Sequence, residues 1–144
     1  MGPRGTPIGL QLARTSKTVG RAFNDALAEA GGSLPVWLIL TTLRGEAHAS
    51  QQELARAIGV EGPTLTRHLD QLEAAGLVRR VPHPDDRRAI RVVCSESGLE
   101  LHRRLLEVVI AFNRRLTAGL SEDDLDTLRR TLDALDANVG PSAG

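Results

Sequence analysis

The sequence predicts a mainly α fold carrying one small β-hairpin. Three observations lead there. Apolar residues recur at helical spacing in segments punctuated by Gly, Pro and Ser signals. Two runs rich in β-branched residues, "LVRRV" and "RAIRVVC", flank a Pro/Asp cluster that reads as a turn. Aromatic residues make up only 2% of the chain, namely Phe23, Trp37 and Phe112, so Leu, Val, Ile and Ala must fill the core.

The first helix is expected from Ile8, with Ile8, Leu12, Val19, Phe23 and Leu27 at its spacing, to the "GGS" at 31–33. Ser33 suits an N-cap and Pro35 a first turn for a second helix, "PVWLILTTLR", whose nearly all-round apolar surface makes it central. A "GEAHA" loop follows. "SQQE" at 50–53 has the capping-box pattern, with Ser50 as cap and Glu53 reaching back. It opens a short helix bearing Leu54 and Ile58, which Gly59 ends. Pro63 marks the first turn of a fourth helix that runs to about Ala75 and stops at Gly76. After the hairpin, Ser95 caps a long fifth helix with Leu101, Leu105, Val108, Phe112 and Leu116 on one stripe, ended by Gly119. Ser121 and the acids after it open a sixth helix, the carboxylates favouring its positive end. Leu125, Leu128, Leu132, Leu135 and Val139 repeat along it. The 144 residues read as one domain, with no internal repeat and no interdomain linker.

Formal net charge is zero, which argues against indiscriminate polyanion binding, but the charge is unevenly placed. Between Leu77 and Arg91, five arginines face Asp85 and Asp86; between Ser121 and Asp136, six acids face Arg129 and Arg130. Cys94 is the single cysteine, which excludes an internal disulfide and suits a reducing compartment. No apolar run reaches the length of a membrane span, and "MGPRGTP" lacks the apolar core of an export signal, so a cytoplasmic location without membrane contact is expected.

The order helix, tight turn, helix, hairpin is that of a winged helix-turn-helix. Leu65, Leu69 and Leu72 fall within a narrow arc of the fourth helix and must face a core. The opposite side carries Pro63, Thr66, Arg67, Asp70 and Ala74, with Thr64 and Gln71 on the flank. Such a surface fits a DNA major groove, where Arg reaches guanine N7 and O6 and Thr offers a hydroxyl and a methyl. A solvated amphipathic face is the bland alternative, and the capped helix before it and the hairpin after it weigh against that. The hairpin tip can reach the neighbouring minor groove, whose negative potential attracts Arg. Arg88 is the natural inserter, with Asp86 holding its guanidinium. Arg79, Arg80, Arg87 and Arg91 are expected at phosphates, together with Ser50. A self-neutralised solvated turn is the alternative for "DDRR".

"GVEGPTLTRHLDQLEAAGLVRR" followed by "DDRRAIRVVCSESG" resembles the MarR family of bacterial regulators, and most its SlyA-type branch, over nearly the whole chain. That resemblance implies a single MarR-like domain over 1–144. Its winged helix-turn-helix would occupy 33–95, and its dimerising helices 8–30 and 96–139. It also implies an obligate homodimer on a pseudo-palindromic double-stranded operator. Pro63, Thr64 and Arg67 would lie in the base region, Arg88 in the minor groove, with Asp86 as its orienting partner. Many members bind small phenolic or aromatic anions that weaken DNA binding. The residues support a dimer independently, because the first, fifth and sixth helices offer more apolar face than a small winged helix covers.

Phe23, Trp37, Thr41, His48 and Phe112 form the candidate ligand pocket, weighed against plain core packing of the aromatic residues. Cys94 reads as a small core residue rather than a redox sensor. His48, His68, His83 and His102 show no pair at metal-ligand spacing on one helix face, so solvated or locally bonded histidines and no metal or cofactor are expected. Nothing resembles a nucleophile elbow or a phosphate loop, so the chain does not read as an enzyme. The reading is therefore a dimeric, sequence-specific transcriptional regulator, a repressor whose DNA affinity a small ligand lowers. The competing class is a winged helix that docks on an acidic protein partner.

Overall fold

Six helices and a three-stranded antiparallel sheet make up the computed structural model, which describes residues 5–45, 49–86 and 88–141. His48 and Arg87 lie outside the described residues. The chain divides into two compact units, Met1–Phe112 and Asn113–Gly144.

In the first unit, α1 (Ile8–Glu29) and α2 (Leu34–Gly45) are separated by the expected glycine turn. α2 buries Ile39, Leu40 and Leu43 at the centre of the core, as its all-round apolar surface requires. α3 (Gln51–Ile58) starts at Ser50, whose hydroxyl accepts the Glu53 N–H at 3.1 Å, and ends at Gly59 in the left-handed region. Only this half of the expected box forms: α3 has the serine cap without the return bond from Glu53. α4 (Gly62–Ala74) buries Leu65, Leu69 and Leu72 together, the three leucines predicted to share one arc. It ends in a Schellman arrangement. Gly76 has φ 75°, its N–H donates to the Glu73 carbonyl, and the Leu77 N–H donates to the Leu72 carbonyl. Only a residue without a Cβ takes that φ at no cost, so the chain turns directly from α4 into the first wing strand.

The sheet corrects one expectation. The hairpin strands β2 (Val78–Pro82) and β3 (Ile90–Cys94) pair from Val78↔Cys94 to Pro82↔Ile90, as read. A third strand, β1 (Ala49–Ser50), pairs Ala49↔Val92 and Ser50↔Arg91, so the order is β1-β3-β2. Two residues are too few for an alternation signal, and the "GEAHA" stretch read simply as loop. β1 fastens the N-terminus of α3 to the inner wing strand, with Ala49, Val78 and Val92 buried in the same core as Leu54 and Leu65.

α5 (Glu96–Leu116) buries Leu101, Leu105 and Phe112. Phe112 meets Phe23 of α1 with ring centroids 5.0 Å apart. Core contact on α1 is confined to its C-terminal half: Leu27 is fully buried, whereas Ile8, Leu10 and Leu12 are 63%, 45% and 40% exposed.

In the second unit, Gly119 (φ 85°) ends the α5 segment and α6 (Glu122–Val139) follows. The acids after Ser121 do more than favour the dipole. Asp124 completes a reciprocal box, Ser121 Oγ accepting from Asp124 N–H at 3.1 Å and Asp124 Oδ2 from Ser121 N–H at 3.0 Å. No described residue of α6 is buried, and Leu128, Leu132 and Val139 are exposed.

Candidate nucleic-acid interface

Leucines 65, 69 and 72 pull one side of α4 into the core, so the opposite side must face out. Pro63, Thr66, Arg67, Asp70 and Gln71 are exposed there and Thr64 is half-buried. The Thr66 hydroxyl donates back to the Gly62 carbonyl at 3.0 Å, which leaves its lone pairs and methyl outward. Arg67 has no ion pair among the described residues and stands exposed one turn into the helix. Glu61, the N-cap residue, makes no side-chain cap bond.

The tip of the hairpin is built by local hydrogen bonds rather than by packing. The His83 N–H donates to the Ala89 carbonyl at 3.0 Å and the Ala89 N–H to the Asp86 carbonyl at 3.1 Å. His83 Nδ1 accepts the Asp85 N–H at 3.0 Å. Asp86 acts on the backbone of the tip. Its Oδ1 accepts the backbone N–H of Arg88 at 3.0 Å, so it shapes the turn that presents Arg88. This is the ordinary preference of Asp for its own backbone two residues on. Arg88 is exposed. Ser50, Gln51 and Gln52 line one cleft with Arg88, Ala89 and Ile90, so the start of α3 and the foot of the wing adjoin.

The expected phosphate-facing cations fall into distinct environments. Arg79 is exposed. Arg91 is half-buried, opposite Ser50 across the β1–β3 ladder, with its Nε buried and lacking a partner among the described residues. Ser50 is half-buried and engaged as the α3 cap. Arg80 is not free. Its side chain is 21% exposed and its guanidinium is 2.6 Å from Asp70 Oδ1 and 3.6 Å from Glu73 Oε1. Spacing along the chain carried no sign of this, because the partners lie across the turn at Gly76.

Of the candidate ligand-pocket residues, the four described ones, Phe23, Trp37, Thr41 and Phe112, fall into two separate contacts. Phe23 and Phe112 form one aromatic pair. Trp37 and Thr41 instead meet His102, ten residues before Phe112 on α5, which at helical rise is roughly 15 Å away. The Trp37 and His102 rings stack with centroids 4.9 Å apart, and Thr41 Oγ1 is 3.5 Å from His102 Nε2. His102 is 7% exposed, against the expectation of a solvated or locally bonded side chain. The sequence does hold the signal: His102 is four residues after buried Gly98 and one after buried Leu101, on the packed side of α5. Burial pushes its imidazole below the ordinary value of 6.5, and the positive Arg44 adds to the shift. Burial likewise raises the Cys94 thiol, partly offset by Arg44, which disfavours the reactive thiolate.

Among the described residues no single helix is long and apolar enough to cross a membrane. Residues 33–90 match the sequence model of the MarR family. Three solved structures resemble the chain along most of its length. A cysteine-to-serine mutant of MarR from E. coli, complexed with operator DNA, is 26% identical with a TM-score of 0.81, covering 90% of this chain and 93% of that one. The transcriptional repressor CouR, bound to a 23-mer DNA duplex, is 27% identical with a TM-score of 0.82, covering 90% and 92%. A MarR-family transcriptional regulator from Rhodococcus sp. RHA1 is 27% identical with a TM-score of 0.77, covering 89% and 91%. Over residues 33–90, then, this chain is similar to the MarR family, and its six helices and small antiparallel sheet match the winged-helix fold of those solved structures.

Proposed function

We propose that the chain is a homodimeric, sequence-specific DNA-binding regulator of transcription, a repressor of the SlyA-like branch, with α4 in the major groove and the wing tip in the minor groove. Residues 33–95 form the DNA-reading part, and residues 8–30 with 96–139 the dimerising part. The observation that carries this reading is the pair of exposed arginines, Arg67 on a helix and Arg88 on a hydrogen-bonded turn of the wing, neither held in an ion pair among the described residues. Pro63, Thr64, Thr66 and Gln71 complete the reading surface. Ser50, Arg79, Arg87 and Arg91 contact phosphate. The two solved relatives, one complexed with operator DNA and one bound to a DNA duplex, support DNA binding. The exposed apolar residues of α1, and separately those of α6, are offered to the partner.

Band shifts with a duplex selected by the protein from a random pool test this directly. Arg67→Ala should cost about 1–3 kcal/mol and relax preference at one base step per half-site. Arg88→Ala should weaken binding without changing which base α4 selects. Log affinity should fall steeply with log salt. Absence of duplex binding at low salt would refute the reading and leave the wing as a protein-docking surface. Release of the duplex by a small phenolic or aromatic anion is the second part of the proposal. Trp37 is the single tryptophan and stacks on His102, so its fluorescence reports an occupant near that cluster.

A further inference from the structure

Arg80 lies in the middle of β2, an edge strand whose other neighbour is β3. Its backbone N–H has no strand partner on the outer side and donates instead to Glu73 Oε2 at 2.8 Å. Its guanidinium reaches further along α4, with Nη2 at 2.6 Å from Asp70 Oδ1 and 3.2 Å from the Thr66 carbonyl, and Nη1 at 3.6 Å from Glu73 Oε1. One strand residue thus holds positions 66, 70 and 73, which fall along one side of α4. The Thr66 residue it holds is an exposed neighbour of Arg67.

We infer that Arg80 is a positioning residue that sets the angle between the recognition helix and the wing, and that Asp70 and Glu73 remain its partners when DNA is bound. The inference rests on the DNA-binding reading above. Three physical arguments favour it over a phosphate contact. The guanidinium is mostly buried, and its Nε is buried outright, so turning it outward means breaking bonds already made. The bond to a main-chain carbonyl fixes the helix itself rather than a mobile side chain. Finally, Asp70 stands exposed on the side of α4 that would face DNA. Left alone, its carboxylate would repel phosphate, and Arg80 neutralises it.

The two roles predict opposite results. Use the full-length protein and a duplex it selects from a random pool, and compare affinities for that duplex and for a scrambled one across a salt series. If Arg80 positions, Arg80→Met and the double variant Asp70→Asn/Glu73→Gln each lower the selected-to-scrambled affinity ratio about tenfold. The triple variant is then no worse than either, and the slope of log affinity against log salt stays at the wild-type value. Arg80→Lys restores part of the ratio, since an ammonium reaches one carboxylate but lacks the fork. If Arg80 contacts phosphate, Arg80→Met reduces the slope by about 0.9 per protomer, while the double variant frees Arg80 and raises affinity; either result overturns the inference. Should Arg80→Met fail to fold, the double variant decides by the sign of its effect. Wild-type protein that selects no duplex overturns the DNA-binding reading, and this inference with it.

Discussion

Gly98→Ala is the sharpest test of how α5 is seated on the wing. Gly98 is buried in the first turn of α5, and its N–H donates to Ser95 Oγ at 3.1 Å. A methyl built there would overlap the Leu77 carbonyl oxygen and stand 2.6 Å from Cys94 Sγ. Neither neighbour gives way freely. The Leu77 carbonyl accepts the Ser95 N–H at 3.0 Å, and the Leu77 N–H closes the end of α4 on Leu72. Overpacking a filled core costs about 1–3 kcal/mol, and loosening one such hydrogen bond adds about 1 kcal/mol. The expected loss is therefore about 2–4 kcal/mol, which for a chain of this size lowers Tm by roughly 4–16 °C. Urea titration followed by circular dichroism, at fixed protein concentration and without DNA, measures it. Gly20→Ala is the matched control: it lies inside α1 and its new methyl meets nothing within 4 Å, so the change should stay within about 1 kcal/mol and on the stabilising side. A Gly98→Ala protein within about 0.5 kcal/mol of wild type would refute the close approach of α5 to Leu77.

Two further expectations concern pH and assembly. His102 is held below its ordinary pKa, so the unfolded chain binds that proton more readily than the folded one. Stability is then full above about 6.5 and declines as pH falls from there toward the folded value. His102→Phe keeps a ring against Trp37 and removes the titration, so its urea midpoint should vary less between neutral and mildly acidic pH; equal profiles would show that another group controls acid sensitivity. Leu128 and Leu132 are 46% and 40% exposed in the single chain. Replacing both with Glu should leave helical content intact and shift sedimentation from dimer to monomer, whereas an unchanged dimer would remove α6 from the proposed interface.

Local signals made most of the fold legible. Ser50, Gly59, Pro63, Gly76, Gly119 and Ser121 each act within one helical turn of their own position, through caps and left-handed turns that neighbouring residues determine. Leu65, Leu69 and Leu72 identified the buried side of α4, and therefore its exposed side, because a fixed rotation per residue converts spacing into direction. The two-residue strand β1 was invisible for the opposite reason: it exists only because β3 offers a partner.

The sequence by itself determined the six helices, the hairpin and the outward placement of Arg67 and Arg88, all consequences of short-range periodicity and turn chemistry. Tertiary structure alone decided the fate of the charges and of the buried His102 imidazole. Arg79 and Arg80 are adjacent in a strand, so they point to opposite faces; one is exposed, and the other meets Asp70 and Glu73 of α4. His102 meets Trp37 and Thr41 from a different helix. A guanidinium or an imidazole reads the same in sequence whether it faces water or a carboxylate. Its partner is chosen by which elements the core packs together, and that choice is made far along the chain.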